Sequence, residues 1–362
     1  MSAMPPGPAR PPLPSAGIPH SRPQISPADV RAVARVVRSG LLAQGAEVAA
    51  FEREIGGFLG LPPGVAVSSG TAALHLALVG LGIGPGDEVI LPSYVCVAPL
   101  HAIEHVGATA CIADIDPSTY NLDPRDVRRR LTRRTKAIIT PHLFGLPADL
   151  DPLLALGIPV IEDCAQALGA TLDGRPVGSF GSVGVLSFYA TKLLATGEGG
   201  MLVSRDPRLL SRLRDLRDYD ERRRHRPRFN YKLTDMQAAL GRSQLGRFPA
   251  MLARRRAIAA RYGRQFRTLS LGLPPADARR DHAFHRFVVA VPGAAITAAR
   301  QLESLGVRAR RPIFQPLHAT LSLPGFPGTR YAHRHALSIP IYPGLQRHEE
   351  ATVVAAIRSL FA

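Results

Sequence analysis

The sequence predicts an α/β protein with a seven-stranded, mostly parallel sheet and a smaller C-terminal α+β domain. Two observations carry that prediction. Between residues 65 and 203, seven short apolar runs recur, separated by segments long enough for helices, which is the pattern of a parallel sheet covered on both faces. A helical stretch from about residue 247 to 265 then bridges to a second set of strand and helix signals.

Taken in order, residues 1–18 are rich in Pro, Ala and Gly and lack the continuous apolar run of a signal peptide, so they read as a flexible arm. Val30, Val33, Val36 and Val37 recur at helical spacing within Pro27–Ser39, with Ser26 placed as the cap and Gly40 just past the end. A second helix is expected over 47–59. The strands are expected at 65–67, 89–91, 110–113, 137–140, 160–161, 183–189 and 201–203, and the almost wholly apolar 72–81 reads as a buried helix. Thr234 caps a further helix. A strand over 284–291 and helices over 296–305 and 349–360 build the second domain. The chain thus divides into an arm (1–18), a large domain (19–246) and a small domain (247–362).

A chain of 362 residues with 46% hydrophobic content is long enough for a large core and a second domain. No run approaches the roughly 18 apolar residues of a membrane span. Cys96, Cys111 and Cys164 lie in or beside apolar segments without metal-ligand spacing, which fits free thiols in the reducing cytoplasm, and no metal site is expected. The formal charge of +17 raises nucleic acid as a partner. Its arginine clusters at 128–134, 222–228, 254–256 and 308–311 have no aromatic ladder interleaved, so they read as solvated surface and no nucleic-acid partner is expected. A basic entrance would also draw a doubly charged diphosphate.

Three stretches carry chemistry. Lys192 is one of only three lysines in an arginine-rich chain and sits in a loop between two apolar runs that ends in Gly197-Glu198-Gly199-Gly200. An arginine stays protonated, whereas a shielded lysine loses its proton and forms a Schiff base with a carbonyl. Ser68-Ser69-Gly70-Thr71 joins a strand to a helix, an arrangement that aims free N–H groups and the helix dipole at an anion. It matches neither a Walker loop nor a dinucleotide fingerprint. Glu162-Asp163-Cys164-Ala165-Gln166 follows a buried strand, where an acid is costly unless paired. A protonated ring nitrogen of a bound cofactor suits Asp163, with Gln166 in reach of a neighbouring ring oxygen. Taken singly, each stretch also reads as an ordinary hairpin, helix cap or strand end.

Together these stretches, with Gly86-Asp87-Glu88-Val89-Ile90, His142-Leu143-Phe144-Gly145, Ser187-Phe188-Tyr189-Ala190-Thr191-Lys192 and Asn230-Tyr231-Lys232-Leu233-Thr234-Asp235, resemble the DegT/DnrJ/EryC1/StrS family of pyridoxal phosphate-dependent sugar aminotransferases, in order, from about residue 18 to the C-terminus. The resemblance implies the aspartate aminotransferase-like fold (fold type I) and a homodimer with shared active sites. It implies that Lys192 binds pyridoxal 5′-phosphate covalently and shuttles a proton, that Asp163 holds the ring nitrogen protonated and that Gln166 approaches the ring hydroxyl. Gly70, Thr71 and Ser187 would hold the phosphate, helped by Asn230 of the partner subunit, and His318 in Pro316-Leu317-His318 would meet the substrate. Relatives that act as dehydratases carry histidine at the position of Lys192, so the lysine favours amino transfer. Many relatives place an aromatic residue where this chain has Cys96, which leaves the ring to rest on a smaller group or on Tyr94.

The expected function is amino transfer from glutamate or glutamine to a keto-sugar nucleotide in amino-sugar biosynthesis. The alternatives are amination of a keto-cyclitol, another pyridoxal phosphate reaction such as decarboxylation or aldol cleavage, and a non-catalytic regulator binding anionic partners through its basic surface. Retention of Lys192, Asp163 and the anion turn argues against the regulator.

Overall fold

The computed structural model describes residues 17–220 and 225–362. Twelve strands are described: Val65–Val67 (β1), Glu88–Pro92 (β2), Thr109–Ala113 (β3), Thr135–Pro141 (β4), Val160–Asp163 (β5), Thr171–Leu172 (β6), Arg175–Pro176 (β7), Val183–Ser187 (β8), Gly200–Val203 (β9), Arg280–Asp281 (β10), Phe287–Ala290 (β11) and Ala336–Ile339 (β12). Seven of them form one sheet in the order β1-β9-β8-β5-β4-β2-β3. Every neighbouring pair is parallel except those of β9, which runs antiparallel to both β1 and β8. The seven apolar runs read from the sequence are these seven strands, and their continuous Val, Ile and Leu content follows from burial on both faces.

Helices cover the sheet. Gly70–Gly80, Ala98–His105 and Pro207–Arg217 pack on one face, and the apolar positions of Gly70–Gly80 are buried nearly all round, so it shows no polar stripe. Ala46–Leu59, Asp235–Leu245 and the start of Phe248–Phe266 pack on the other. Ala46–Leu59 begins at Gly45, which has no side chain to cap it. The carboxylate of Asp235 does so from far along the chain, accepting from the backbone of Gly45, Glu47 and Val48 at 2.8, 3.2 and 3.0 Å. Glu52 ties the same helix to β1 by accepting from Ala66 N–H at 2.8 Å and pairing with Arg217.

Phe248 and Leu252 of the long helix belong to the sheet's core, whereas Ile258, Tyr262 and Phe266 belong to a second core with Phe287, Leu337, Ile339, Val353 and Ile357. Several elements escaped the sequence reading, among them β12, which pairs antiparallel with β11, the small sheet β10-β6-β7 and the helices Pro207–Arg217 and Pro327–His335. The expected arm ends at Ile18. Its first sixteen residues lie outside the described ones, but Ile18 donates to the Gly306 carbonyl at 2.8 Å, accepts from Arg308 N–H at 3.1 Å and is buried in the second core. Among the described residues no helix is long and apolar enough to cross a membrane.

The parallel strands β1, β2, β4, β5 and β8 all end at one edge, and β9 begins there, with Gly200 opposite both Val67 and Ser187. A methyl group on Gly200 would overlap the carbonyl of Ser69. Gly200→Ala is therefore expected to cost about 1–3 kcal/mol. In Gly263→Ala the added Cβ has nothing within 4 Å, and the helix should gain about 0.5–1 kcal/mol. Thermal denaturation of the two variants beside the parent checks both, and the reverse order would rule out the close approach.

Candidate active site

Five predicted residues gather at that edge. The helix Gly70–Gly80 starts directly after β1; Ser69 caps it by accepting from Ala72 N–H at 3.0 Å, which leaves the Gly70 and Thr71 amides without a partner inside the helix. Ser187, at the end of β8, lies against this turn, since a Cβ on Gly70 would stand 2.9 Å from Ser187 Cβ and 3.2 Å from its Oγ. Bare backbone, a helix N-terminus and the hydroxyls of Thr71 and Ser187 make an anion cradle.

Asp163 ends β5, and alternation along the strand sends it and Glu162 to opposite faces. Glu162 is fully buried and satisfied: it accepts from Gly178, Phe180 and Gly181 N–H at 2.7 Å each and from His142 Nε2 at 3.0 Å. Ala148 N–H donates to His142 Nδ1, so the ring proton sits on Nε2. Burial works to raise the Glu162 carboxyl, yet these donors hold it below the ordinary value. His142, Glu162 and Cys164 are close enough to share a metal, but the first two already use their ligand atoms on each other and on backbone.

Asp163 is treated differently. One oxygen accepts from Ala165 N–H at 3.0 Å, and among the described residues the other accepts from nothing. Burial raises its carboxyl above the ordinary range, offset by Ala165 N–H and Lys192. Lys192 projects into the same recess from a loop held by Lys192 N–H to Tyr189 O, Ala190 N–H to Gly197 O and Phe188 N–H to Gly199 O. Its amine makes no hydrogen bond or ion pair with the described residues, and burial lowers its pKa against the pull of Cys96 and Asp163. A free amine facing a carboxyl with an open lone pair fits a ligand with a carbonyl and a protonated ring nitrogen, and the cradle fits its phosphate. Pyridoxal phosphate has these three groups.

Gln166 lies beside them with Oε1 fixed by Phe144 N–H at 3.0 Å, so its NH₂ group is the end left to a ligand. Cys96 is exposed to the recess and stands beside Asp163 and Lys192. Tyr94 is fully enclosed against Tyr120 and Phe144, whereas Cys96 is exposed. Asn230 is exposed, one residue before Tyr231, whose carbonyl accepts from Ser68 N–H at 2.8 Å behind the cradle. His318 is not joined to Lys192. Its Nδ1 and its backbone N–H bond the hydroxyl of Ser93 at 2.7 and 3.1 Å, and its ring stacks on Phe326. Sequence reasoning missed His285 and Arg286, both within electrostatic reach of the cluster. The signal was an arginine and a histidine entering an otherwise apolar strand.

A family described as the DegT/DnrJ/EryC1/StrS aminotransferase family matches residues 23–358. The chain is 38% identical to UDP-N-acetyl-3-dehydro-alpha-D-glucosamine 3-aminotransferase of Acidithiobacillus ferrooxidans, over 85% of this chain and 87% of that protein. It is 36% identical to GDP-perosamine synthase of Caulobacter vibrioides, over 85% and 88%. Among solved structures, S. venezuelae DesV in complex with ketimine intermediate superposes with a TM-score of 0.87 at 36% identity, covering 92% of this chain and 94% of that one.

Glu162→Ala, which strands His142 and three amides, should cost about 3–5 kcal/mol by denaturant unfolding at neutral pH. Because the Glu162 carboxyl is held down, its contribution is present above the ordinary glutamate value of about 4.3 and is lost as pH falls through the lower folded value. Glu162→Gln should lack that part of the acid limb, and an unchanged limb would show that another group governs it.

Proposed function

The chain belongs to the DegT/DnrJ/EryC1/StrS aminotransferase family, and we propose that it moves an amino group from glutamate or glutamine to a keto-sugar nucleotide in amino-sugar biosynthesis. The observation that carries this reading is Lys192, an amine without a partner facing a buried carboxyl that keeps one oxygen open. The named relatives act on a UDP-sugar and make a GDP-sugar, which supports a sugar nucleotide as acceptor. In the net exchange the donor's amine and one hydrogen replace the acceptor's carbonyl oxygen, and the donor leaves as its keto acid.

The enzyme is pyridoxal phosphate-dependent. When bound, the cofactor's ring supplies the electron sink that lets a proton leave the carbon bearing nitrogen. Asp163, steadied by Ala165 N–H, presents its open oxygen to the ring nitrogen and keeps it protonated. Gln166 donates to the ring hydroxyl. Gly70, Thr71 and Ser187 would hold the phosphate, and in a homodimer Asn230 of a second copy would reach the same group. Lys192 would hold the cofactor covalently until the donor's amine displaces it, and the amine so freed would carry a proton to and from the substrate carbon, which its lowered pKa assists by leaving more free amine near neutrality. His318, tied to Ser93, would meet the acceptor. The free thiols Cys96, Cys111 and Cys164 support a cytoplasmic site of action.

The purified protein, loaded with pyridoxal phosphate, is expected to show a visible cofactor band that L-glutamate bleaches, and borohydride reduction should leave the cofactor's mass on the Lys192 peptide. Lys192→Ala should lose that adduct and about 10²–10⁴-fold of the rate. Asp163→Asn should keep the adduct but lose turnover. A colourless protein that takes up no cofactor would overturn the reading.

A further inference from the structure

Beside Lys192 lies a cavity of about 370 Å³ that the reaction as described does not use. Arg22, Arg286, Arg308 and Arg310 line it with His20 and His285, and the described residues of its wall include no Asp or Glu. Thr191, next in the chain to Lys192, forms part of that wall. Lys192 is within electrostatic reach of both Arg286 and His285. The guanidinium groups of Arg286 and Arg310 repel each other there. Burial with Arg286 and Arg310 holds His20 neutral, its pKa pushed down to about 3, and burial with Arg310 brings Arg286 down to about 10. Independently of charge, His285 is only 7% exposed and its Nδ1 has no hydrogen-bond partner among the described residues. A buried ring nitrogen on a cavity wall, with nothing bonded to it, marks a place for a polar ligand.

We infer that this cavity receives the carboxylates of the dicarboxylic amino donor, with Arg286 as the principal anchor and His285 as a second contact, an inference that rests on the aminotransferase reading above. The planar fork of arginine matches a carboxylate bidentately. In an amino acid the carboxylate is one bond from the carbon that carries the amine, so its anchor belongs near the reacting lysine, and Arg286 shares its cavity wall with Thr191, the residue before Lys192. In a sugar nucleotide several ring bonds separate the diphosphate from a carbonyl at the third or fourth carbon, and its anchor belongs farther out. Arg286 is also in register with the cofactor's side of the site. The Phe144 amide donates to Gln166 at 3.0 Å while the Phe144 carbonyl accepts from Arg286 N–H at 3.2 Å, so one residue fixes both. Arg22 and Arg310, at the mouth, are placed for the donor's second carboxylate.

The test uses the cofactor-loaded parent, Arg286→Gln and Arg310→Gln, with thermal denaturation confirming that each variant is folded. Glutarate, a dicarboxylate without an amine, and uridine diphosphate are titrated by calorimetry, and the L-glutamate half-reaction is followed at the cofactor's visible band. Arg286→Gln is expected to weaken glutarate binding and the half-saturation for L-glutamate by about 10–100-fold, the worth of hydrogen bonds to a charged group, with uridine diphosphate unchanged. Arg310→Gln, on an exposed side chain, should show a smaller loss of the same kind. Loss of uridine diphosphate affinity with glutarate intact would make the cavity a diphosphate site, and unchanged binding of both in the two variants would overturn the inference while the aminotransferase reading stands. A loaded parent that no amino acid can bleach would bring down that reading and the inference with it.

Discussion

Two carboxylates at the end of one strand are handled in opposite ways, and the site depends on the difference. Glu162 points to one face and receives four donors, three of them backbone amides between residues 178 and 181, so it fixes the chain just before β8. Asp163 points to the other face and receives a single donor. The desolvation cost of a buried carboxyl with an open oxygen is of the order of a few kcal/mol. That cost is sustained because the strand is locked on both sides by β4 and β8 and on its far face by Glu162. The amine of Lys192 stands close enough to feel this charge without bonding to it. A direct ion pair would satisfy both groups and leave neither for a ligand.

Arginine is the common charge of this chain, and much of it serves the fold. Many arginines are committed to acids that anchor elements: Arg217 to Glu52, Arg247 to Asp29, Arg242 to Glu47 and Glu54, Arg254 and Arg261 to Glu350. Arg255 is buried against the carbonyls of Phe284, His285 and Ile341. The contrast with Arg286 and Arg310, which meet no carboxylate around their cavity, is what makes that cavity stand out.

Much of the fold was legible because its signals are local. The seven strands announce themselves as apolar runs, and the caps Ser26 and Thr234 sit one residue before their helices with the box partners Asp29 and Gln237 in place. The lysine, the acid and the anion turn were legible because each follows a strand end, where an α/β sheet places its ligands. What escaped depends on contacts between distant residues. Pairing of β11 with β12 crosses some fifty residues, the bond from His318 to Ser93 spans 225 positions, and Asp235 caps a helix 190 positions away. Nothing in the local pattern around His20 or Arg286 says that they will meet, although they stand 3.3 Å apart.

The docking of Ile18 on Gly306 and Arg308 bears on how the protein comes into being. Residues 18 to 22 are made before the large sheet, whereas the surface they close on is made after it. The large sheet, with the lysine, the acid and the anion turn, can assemble while the chain is still growing, whereas the arginine-lined cavity beside them exists only when both ends have been made. A chain that stopped before residue 306 would therefore carry the residues of the cradle and the lysine but not those of the cavity wall.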